Sequence, residues 1–223
     1  MREIVIDTET TGLDPRGGDR IVEIAAVELV NHLPTGRVFH HYLNPERDMP
    51  EDAFAVHGLA TDFLADKPRF AEIAEPFIRF IDGARLVIHN AEFDLAFLNA
   101  ELGRLSQPGL ARDRAVDTLA LARQKFPGAQ ASLDALCRRF TIDNSARTKH
   151  GALLDAELLS EVYLELIGGR QAGFDLAMAR GVQQAAGDAV RRFRPARPHT
   201  PSLAELAAHA ALVARLREPL WLA

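Results

Sequence analysis

Residues 3–15 read EIVIDTETTGLDP, and this stretch restricts the fold more than any other. Ile4, Val5 and Ile6 form a short apolar run suited to a buried strand. Asp7 and Glu9 follow it with one residue between them, and Thr10, Thr11, Gly12 and Pro15 then break the pattern. Side chains at i and i+2 of a strand share a face, so both acids point the same way beside an apolar core. Two carboxylates held together there repel each other and are costly to desolvate. A divalent cation removes that cost, which points to a hard-metal site. The simpler alternative is two solvated acids at a strand end. The metal reading needs partner acids from elsewhere in the chain.

The chain's 223 residues suffice for one sizeable domain and an extension. No apolar run approaches membrane-spanning length, and residues 1–20 lack the basic start and apolar core of a signal peptide. Cys137 is the sole cysteine, so no internal disulfide forms, which fits a reducing cytoplasm. Charge is unevenly spread. Residues 1–167 carry 18 Lys and Arg against 27 Asp and Glu, a net −9, while residues 168–223 carry 8 against 4, a net +4. An acidic body does not attract a polyanion by bulk charge. Local cations or bound metals must do so.

Residues 2–7, 20–30 and 37–43 read as three strands, with a turn at Asn31 to Gly36 suited to a hairpin. Residues 71–82 look helical, with a break or kink expected at Pro76. Arg85 to His89 reads as a fourth strand, 93–105 as a helix, and Val116 as the close of a short fifth strand. Helices follow at 118–126, 132–140 and 152–167, with a polar loop at 143–150. This order predicts an α/β domain, a mixed five-stranded sheet flanked by helices, over residues 1–167. Residues 181–201 are rich in Gly, Pro and Arg and read as a flexible linker. Ser202 and Glu205 make a capping-box signature. Leu203, Leu206, Ala210 and Val213 then line one helical face, and Trp221 lies near the chain's end.

Further acids answer the opening pair. Asp94, in HNAEFD, starts a helix after the fourth strand, and Asp155, in HGALLD, starts the last helix of the domain. Four carboxylates without a cysteine or histidine cluster favour Mg2+ or Mn2+ over Zn2+. Two such ions suit an in-line phosphoryl displacement. His150, in the polar loop, titrates near neutrality and can serve as the base. His57 and Asp52 lie in the crossover after the third strand, where a substrate contact is plausible.

DTETTG, HNAEFD and HGALLD resemble the three motifs of the DEDDh 3′→5′ exonuclease superfamily, a ribonuclease H-like fold, and the histidine five positions before the last aspartate resembles its histidine subclass. The resemblance continues through IVEIAAVEL, YLNPER, AFAVHGL, VDTLALARQKFPG and ASLDALCRRF, nearly all of residues 3–167. Within the superfamily it is similar in particular to the epsilon proofreading subunits of bacterial DNA polymerase III. The resemblance implies metal ligation by Asp7, Glu9, Asp94 and Asp155, with two Mg2+ or Mn2+ ions, and general-base action by His150. It also implies contact with the 3′ end of single-stranded or frayed DNA by Asp7, Glu9, Asp52, His57 and Asp155.

QAGFDL, with Gln171, Phe174 and Leu176, resembles the sliding-clamp-binding motif of that family, assigning residues 168–180 to the clamp. Residues 202–223, with Leu203, Leu206, Leu216 and Trp221, resemble the tail that holds the polymerase alpha subunit. A small theta-like subunit is a further partner the resemblance allows. Other readings remain open: a stand-alone exoribonuclease of the ribonuclease T or oligoribonuclease type, a non-catalytic brace, or a pure adaptor.

Overall fold

The computed structural model describes residues 1–147, 149–169 and 200–216. The chain divides into two units, Met1–Gly173 and Phe174–Ala223. In the first, strands β1 (Arg2–Thr10), β2 (Ile21–Val30), β3 (Leu33–Tyr42), β4 (Arg85–Ile88) and β5 (Ala115–Asp117) form one sheet in the order β3-β2-β1-β4-β5. The first three strands are antiparallel, while β4 runs parallel to β1 and β5 parallel to β4. The sheet is therefore mixed, as expected.

Among the described residues seven α-helices accompany it: α1 (Glu51–His57), α2 (Thr61–Leu64), α3 (Phe70–Ile81), α4 (Ala91–Arg104), α5 (Thr118–Lys125), α6 (Leu133–Phe140) and α7 (Ala152–Leu166). Strand alternation sorts the core into two layers. Ile4, Ile6, Ile24 and Ile88 pack with Phe77 of α3 and with Leu95 and Leu98 of α4. Val5, Ala25, Val27 and Val87 pack on the other face with Ala122, Leu136 and, on α7, Ala156, Leu159 and Val162.

Local expectations change in four places. β1 continues to Thr10 instead of ending near residue 7. Its pairing with β2 runs on through Asp7↔Ala25 and Glu9↔Glu23 before a register shift at Glu9/Thr10, so both acids sit inside the ladder. The β2–β3 turn is Asn31-His32, both with positive φ (52° and 67°), as a two-residue hairpin turn of matching twist requires. Pro34 and Gly36 lie instead in β3, where the register jumps between Val27↔Val38 and Leu29↔Pro34, and Gly36 takes a φ of 84° in the bulge. Pro76 does not interrupt α3. It lies on the exposed side of that helix, where the carbonyl it leaves unpaired is open to solvent. The crossover from β3 to α3 holds the short helices α1 and α2, too brief to show a hydrophobic period.

In the second unit one further helix, α8 (Leu203–Val213), is described. The expected capping box closes it: Ser202 Oγ accepts from the Glu205 N–H (3.3 Å), and Glu205 Oε2 accepts from the Ser202 N–H (2.8 Å). Leu203, Leu206 and Leu216 are exposed. Gln171, Phe174, Leu176 and Trp221, and the linker up to residue 199, lie outside the described residues. Among the described residues no helix is long and apolar enough to cross a membrane.

Candidate metal centre

The alternation of β1 decides which helix each acid meets. Its odd positions share the face of Val5, which packs on α7, and at its start the Tyr163 hydroxyl of α7 donates to Glu3 Oε1 (2.7 Å). Asp7 and Glu9 continue that row toward Asp155, in the first turn of the same helix. The even positions share the face of Ile4 and Ile6 over α4. Thr8 continues them, and its hydroxyl donates to Asp94 Oδ1 (2.8 Å), in the first turn of α4. Asp155 thus arrives from one side of the sheet and Asp94 from the other. They meet at the carboxyl end of β1, beside the carboxyl end of its parallel neighbour β4. Ligand sites in such sheets lie at this edge, where loops and helix starts converge.

Electrostatics bind the four acids into one group. Burial raises the Asp7 carboxyl well above its ordinary range, and Asp94, Glu9 and Asp155 push it further while Arg147 opposes them. Glu9 is pushed up to about 8, by burial first and then by Asp155, Glu23 and Asp94. Asp94 is raised to about 7, burial outweighing the Thr8 hydroxyl and nearby backbone donors. Asp155 behaves in the opposite way. Burial raises it, but hydrogen bonds and charge from Arg147 and His150 prevail and hold it below the usual carboxylate value. Such repulsion among oxygen donors is what a hard divalent cation relieves, so the donor set fits a metal of that class. Glu9, His150 and Asp155 each present a ligand atom within 4.8 Å of the others.

Arg147, which the sequence did not single out, is the group's internal cation. Its Nε–H donates to Asp155 Oδ1 (2.5 Å) and its Nη2 to Asp155 Oδ2 (2.6 Å). Nη1 donates to Asp134 Oδ1 on α6 (2.9 Å). Nη2 also lies 2.8 Å from His150 Nδ1, and because a guanidinium only donates, that ring nitrogen accepts. An arginine in a polar loop has no period or motif to mark it, and only folding brings it to Asp155. Glu23 was also unmarked. Its Oε2 accepts from the Ala152 N–H at the start of α7 (3.1 Å), and Oε1 lies 2.7 Å from His40 Nε2. It thereby holds the helix end that carries Asp155 against the sheet.

The acids divide two recesses. Asp7, Asp155, His150, Arg147 and His89 line one of about 320 Å3. Glu9, Asp52, His57, Thr10 and Phe93 line a larger cleft of about 520 Å3. Asp52 sits exposed on α1. His57 is buried at the end of that helix, where its Nδ1 accepts from the Leu59 N–H (3.1 Å) and burial lowers its pKa. The His150 N–H donates to the Val56 carbonyl (3.3 Å), tying the loop before α7 to α1.

Residues 4–163 match the exonuclease model of the RNase T family. The DNA polymerase III subunit epsilon of Rickettsia felis is 58% identical over 179 residues, covering 79% of this chain and 78% of the relative. That of Escherichia coli is 48% identical over 222 residues, 94% and 91% of the two chains. This chain belongs to the DNA polymerase III epsilon-subunit family of exonucleases. The second alignment extends through most of the tail, whereas the first is confined to about four-fifths of the chain. Among solved structures, exonuclease X in complex with 5′ overhanging duplex DNA is 27% identical with a TM-score of 0.57, covering 74% of this chain and 90% of that one. The nuclease domain of 3′hExo, a DEDDh family member bound to rAMP, superposes with a TM-score of 0.65 at 18% identity, covering 74% and 91%, and shares the fold.

Proposed function

We propose that this chain is a 3′→5′ proofreading exonuclease acting within a bacterial DNA polymerase III, with Asp7, Glu9, Asp94 and Asp155 holding two Mg2+ or Mn2+ ions. The observation that carries the reading is the convergence of four mutually repelling carboxylates, with His150 beside Asp155, at one sheet edge in an epsilon-family chain. When bound, the ions supply Lewis-acid stabilisation of charge on the attacking and leaving oxygens and neutralise the acidic edge for a phosphodiester.

The chain's own residues do the rest. His150 is half exposed, with Nδ1 3.4 Å from Asp155 Oδ2 and 2.8 Å from Arg147 Nη2, which places the ring at the acid edge. Its imidazole takes a proton from the attacking water. The water oxygen bonds to the terminal phosphorus, and the bond to the preceding 3′ oxygen breaks. That oxygen takes a proton from solvent, leaving a new 3′ hydroxyl and a free nucleoside 5′-monophosphate, and His150 returns its proton to solvent. The larger cleft, with Asp52 and His57 on α1, receives the terminal nucleotide. A mismatched end frays at lower cost and reaches this cleft more often, which makes the reaction selective.

The tail supplies context. Exposed Leu203, Leu206 and Leu216, together with Trp221, dock on the polymerase alpha subunit. Gln171, Phe174 and Leu176 bind the sliding clamp, and a small theta-like subunit is a further partner. The protein works at the replisome in the bacterial cytoplasm. Hydrolysis of 3′-mismatched and single-stranded DNA beside short RNA, with and without EDTA, tests the reading. It predicts EDTA-sensitive release of deoxynucleoside monophosphates, faster from the mismatched end. Preference for short RNA would instead favour a stand-alone exoribonuclease.

A further inference from the structure

Arg147 engages both oxygens of Asp155 at once, at 2.5 and 2.6 Å, and its side chain is only 8% exposed. A bidentate guanidinium–carboxylate pair is strong and directional. It uses the same oxygens that a cation ligated by Asp155 needs. The same guanidinium approaches His150 Nδ1, drawing on the lone pair of the residue assigned as base. It also has a second anchor: Nη1 donates to Asp134, whose side chain is 43% exposed and takes no part in the acid group. Asn144 donates to the same Asp134 oxygen (3.0 Å) and Arg147 N–H to the Asn144 carbonyl (3.0 Å), so the loop keeps its hold on α6 when the guanidinium moves.

We propose that Arg147 is a positioning residue that competes with the divalent cation for Asp155, swinging onto Asp134 as the metal loads and freeing His150 in the same movement. The inference rests on the metal assignment made above. It explains why a cluster of repelling acids is stable before loading: Arg147 lowers the charge burden on Asp7, Glu9 and Asp155 alike. It also couples ligand and base, since a single displacement releases both. Metal loading and activation of the base then occur together.

The test is Mn2+ binding to the full-length chain without DNA, followed by electron paramagnetic resonance of the free ion. Arg147→Met removes the competitor and is expected to tighten Mn2+ binding by about tenfold or more, because close unit charges in a protein setting interact strongly. Asp134→Asn removes the second anchor and is expected to weaken Mn2+ binding by a few-fold, since Arg147 then stays on Asp155. Arg147→Lys, which keeps the charge but loses the fork, should fall between Arg147→Met and the native chain. A merely structural brace predicts the opposite pattern, with Arg147→Met and Asp134→Asn both loosening the loop and shifting affinity the same way. Arg147→Met that is folded by circular dichroism but binds Mn2+ no tighter than the native chain overturns the proposal. If that variant does not fold, Arg147→Lys binding Mn2+ more tightly than the native chain while Asp134→Asn binds it more weakly supports the proposal, and any other pattern overturns it. A native chain that binds no Mn2+ sinks the metal assignment itself, a result distinct from equal binding by all variants.

Discussion

Asp7 sits between opposing demands. It sits half-buried within the β1–β2 ladder, where desolvation and three other carboxylates raise its pKa. A carboxylate so placed is a liability to the fold unless a cation is bound. Asp7→Ala is accordingly predicted to abolish hydrolysis while leaving the domain folded. Its melting temperature in EDTA should match or exceed that of the native chain, because the substitution removes repulsion. Residual hydrolysis near the native rate would remove Asp7 from the metal site. His150 is different in kind, exposed and outside the ladder. His150→Ala is predicted to retain Mn2+ binding but lose roughly 10²–10⁴-fold in rate, the usual cost of a missing general base. Single-turnover kinetics at saturating metal measures that loss. Asp7 and Glu9 are visible in the sequence because strand period alone aligns them. The raised pKa of Glu9, about 8, was not, because it depends first on burial in the folded chain and then on Asp155, Glu23 and Asp94 arriving from distant elements.

At the scale of elements, α7 joins stability to the site. Its apolar side packs on Val5, Val27 and Val87, its start is held by Glu23, and Tyr163 near its end donates to the fully buried Glu3. Tyr163→Phe leaves that carboxylate short of a donor. The expected cost is about 1–3 kcal/mol of stability, the usual penalty for an orphaned buried acceptor, measured by urea unfolding. Mn2+ affinity should change little, because Tyr163 is more than two helical turns from Asp155 along α7. The helices that carry the site were legible for a simple reason. Apolar residues recur at the helical period, Phe93, Ala96, Phe97 and Ala100 in α4 with Leu105 just after it, and Ala152, Leu159 and Val162 in α7, although the face that α4 buries also runs through Leu95, Leu98 and Leu102. The hairpin turn and the uninterrupted α3 were less legible. Pro34, Gly36 and Pro76 are breakers by type, but the bulge in β3 and the solvent face of α3 accommodate them.

For the whole molecule, the raised carboxylates make stability depend on pH. Glu9 and Asp94, at about 8 and about 7 in the fold, keep protons that an unfolded chain with carboxylates near 4 has already released. The folded chain then binds more protons than the unfolded one, so stability falls as pH rises toward the folded values. Buried His57 and half-buried His89, whose pKa values desolvation lowers, act in the opposite sense below about 6.5. The clean window is therefore about pH 6.5 to 8.5. There the melting temperature in EDTA is predicted to fall with pH, while the stabilisation from saturating Mn2+ grows, since the metal replaces those protons. A melting temperature in EDTA that rises across this window contradicts the raised carboxylates. Truncation addresses the C-terminal quarter of the chain. A chain ending at residue 167 is predicted to retain exonuclease activity and metal dependence but no longer co-purify with the polymerase. Co-purification unaffected by the deletion would move the polymerase contact onto the nuclease domain.

The linear chain was enough to predict an α/β domain, to single out the four acids and the histidine proposed for the site, and to predict a capped helix beyond a Gly, Pro and Arg-rich stretch. Those features rest on short-range regularities, strand and helix periods and cap chemistry, that survive without knowledge of what lies across the sheet. Only the folded chain could bring Asp94 and Asp155 to β1 from opposite faces, because that depends on which helix covers which side of the sheet. Only the folded chain could set Glu23 under the start of α7, or turn Arg147 from one more loop arginine into the cation on Asp155. Charge and hydrogen bonding act through space, and the hydrogen bonds that shape this site join residues 8, 86 and 129 positions apart along the chain.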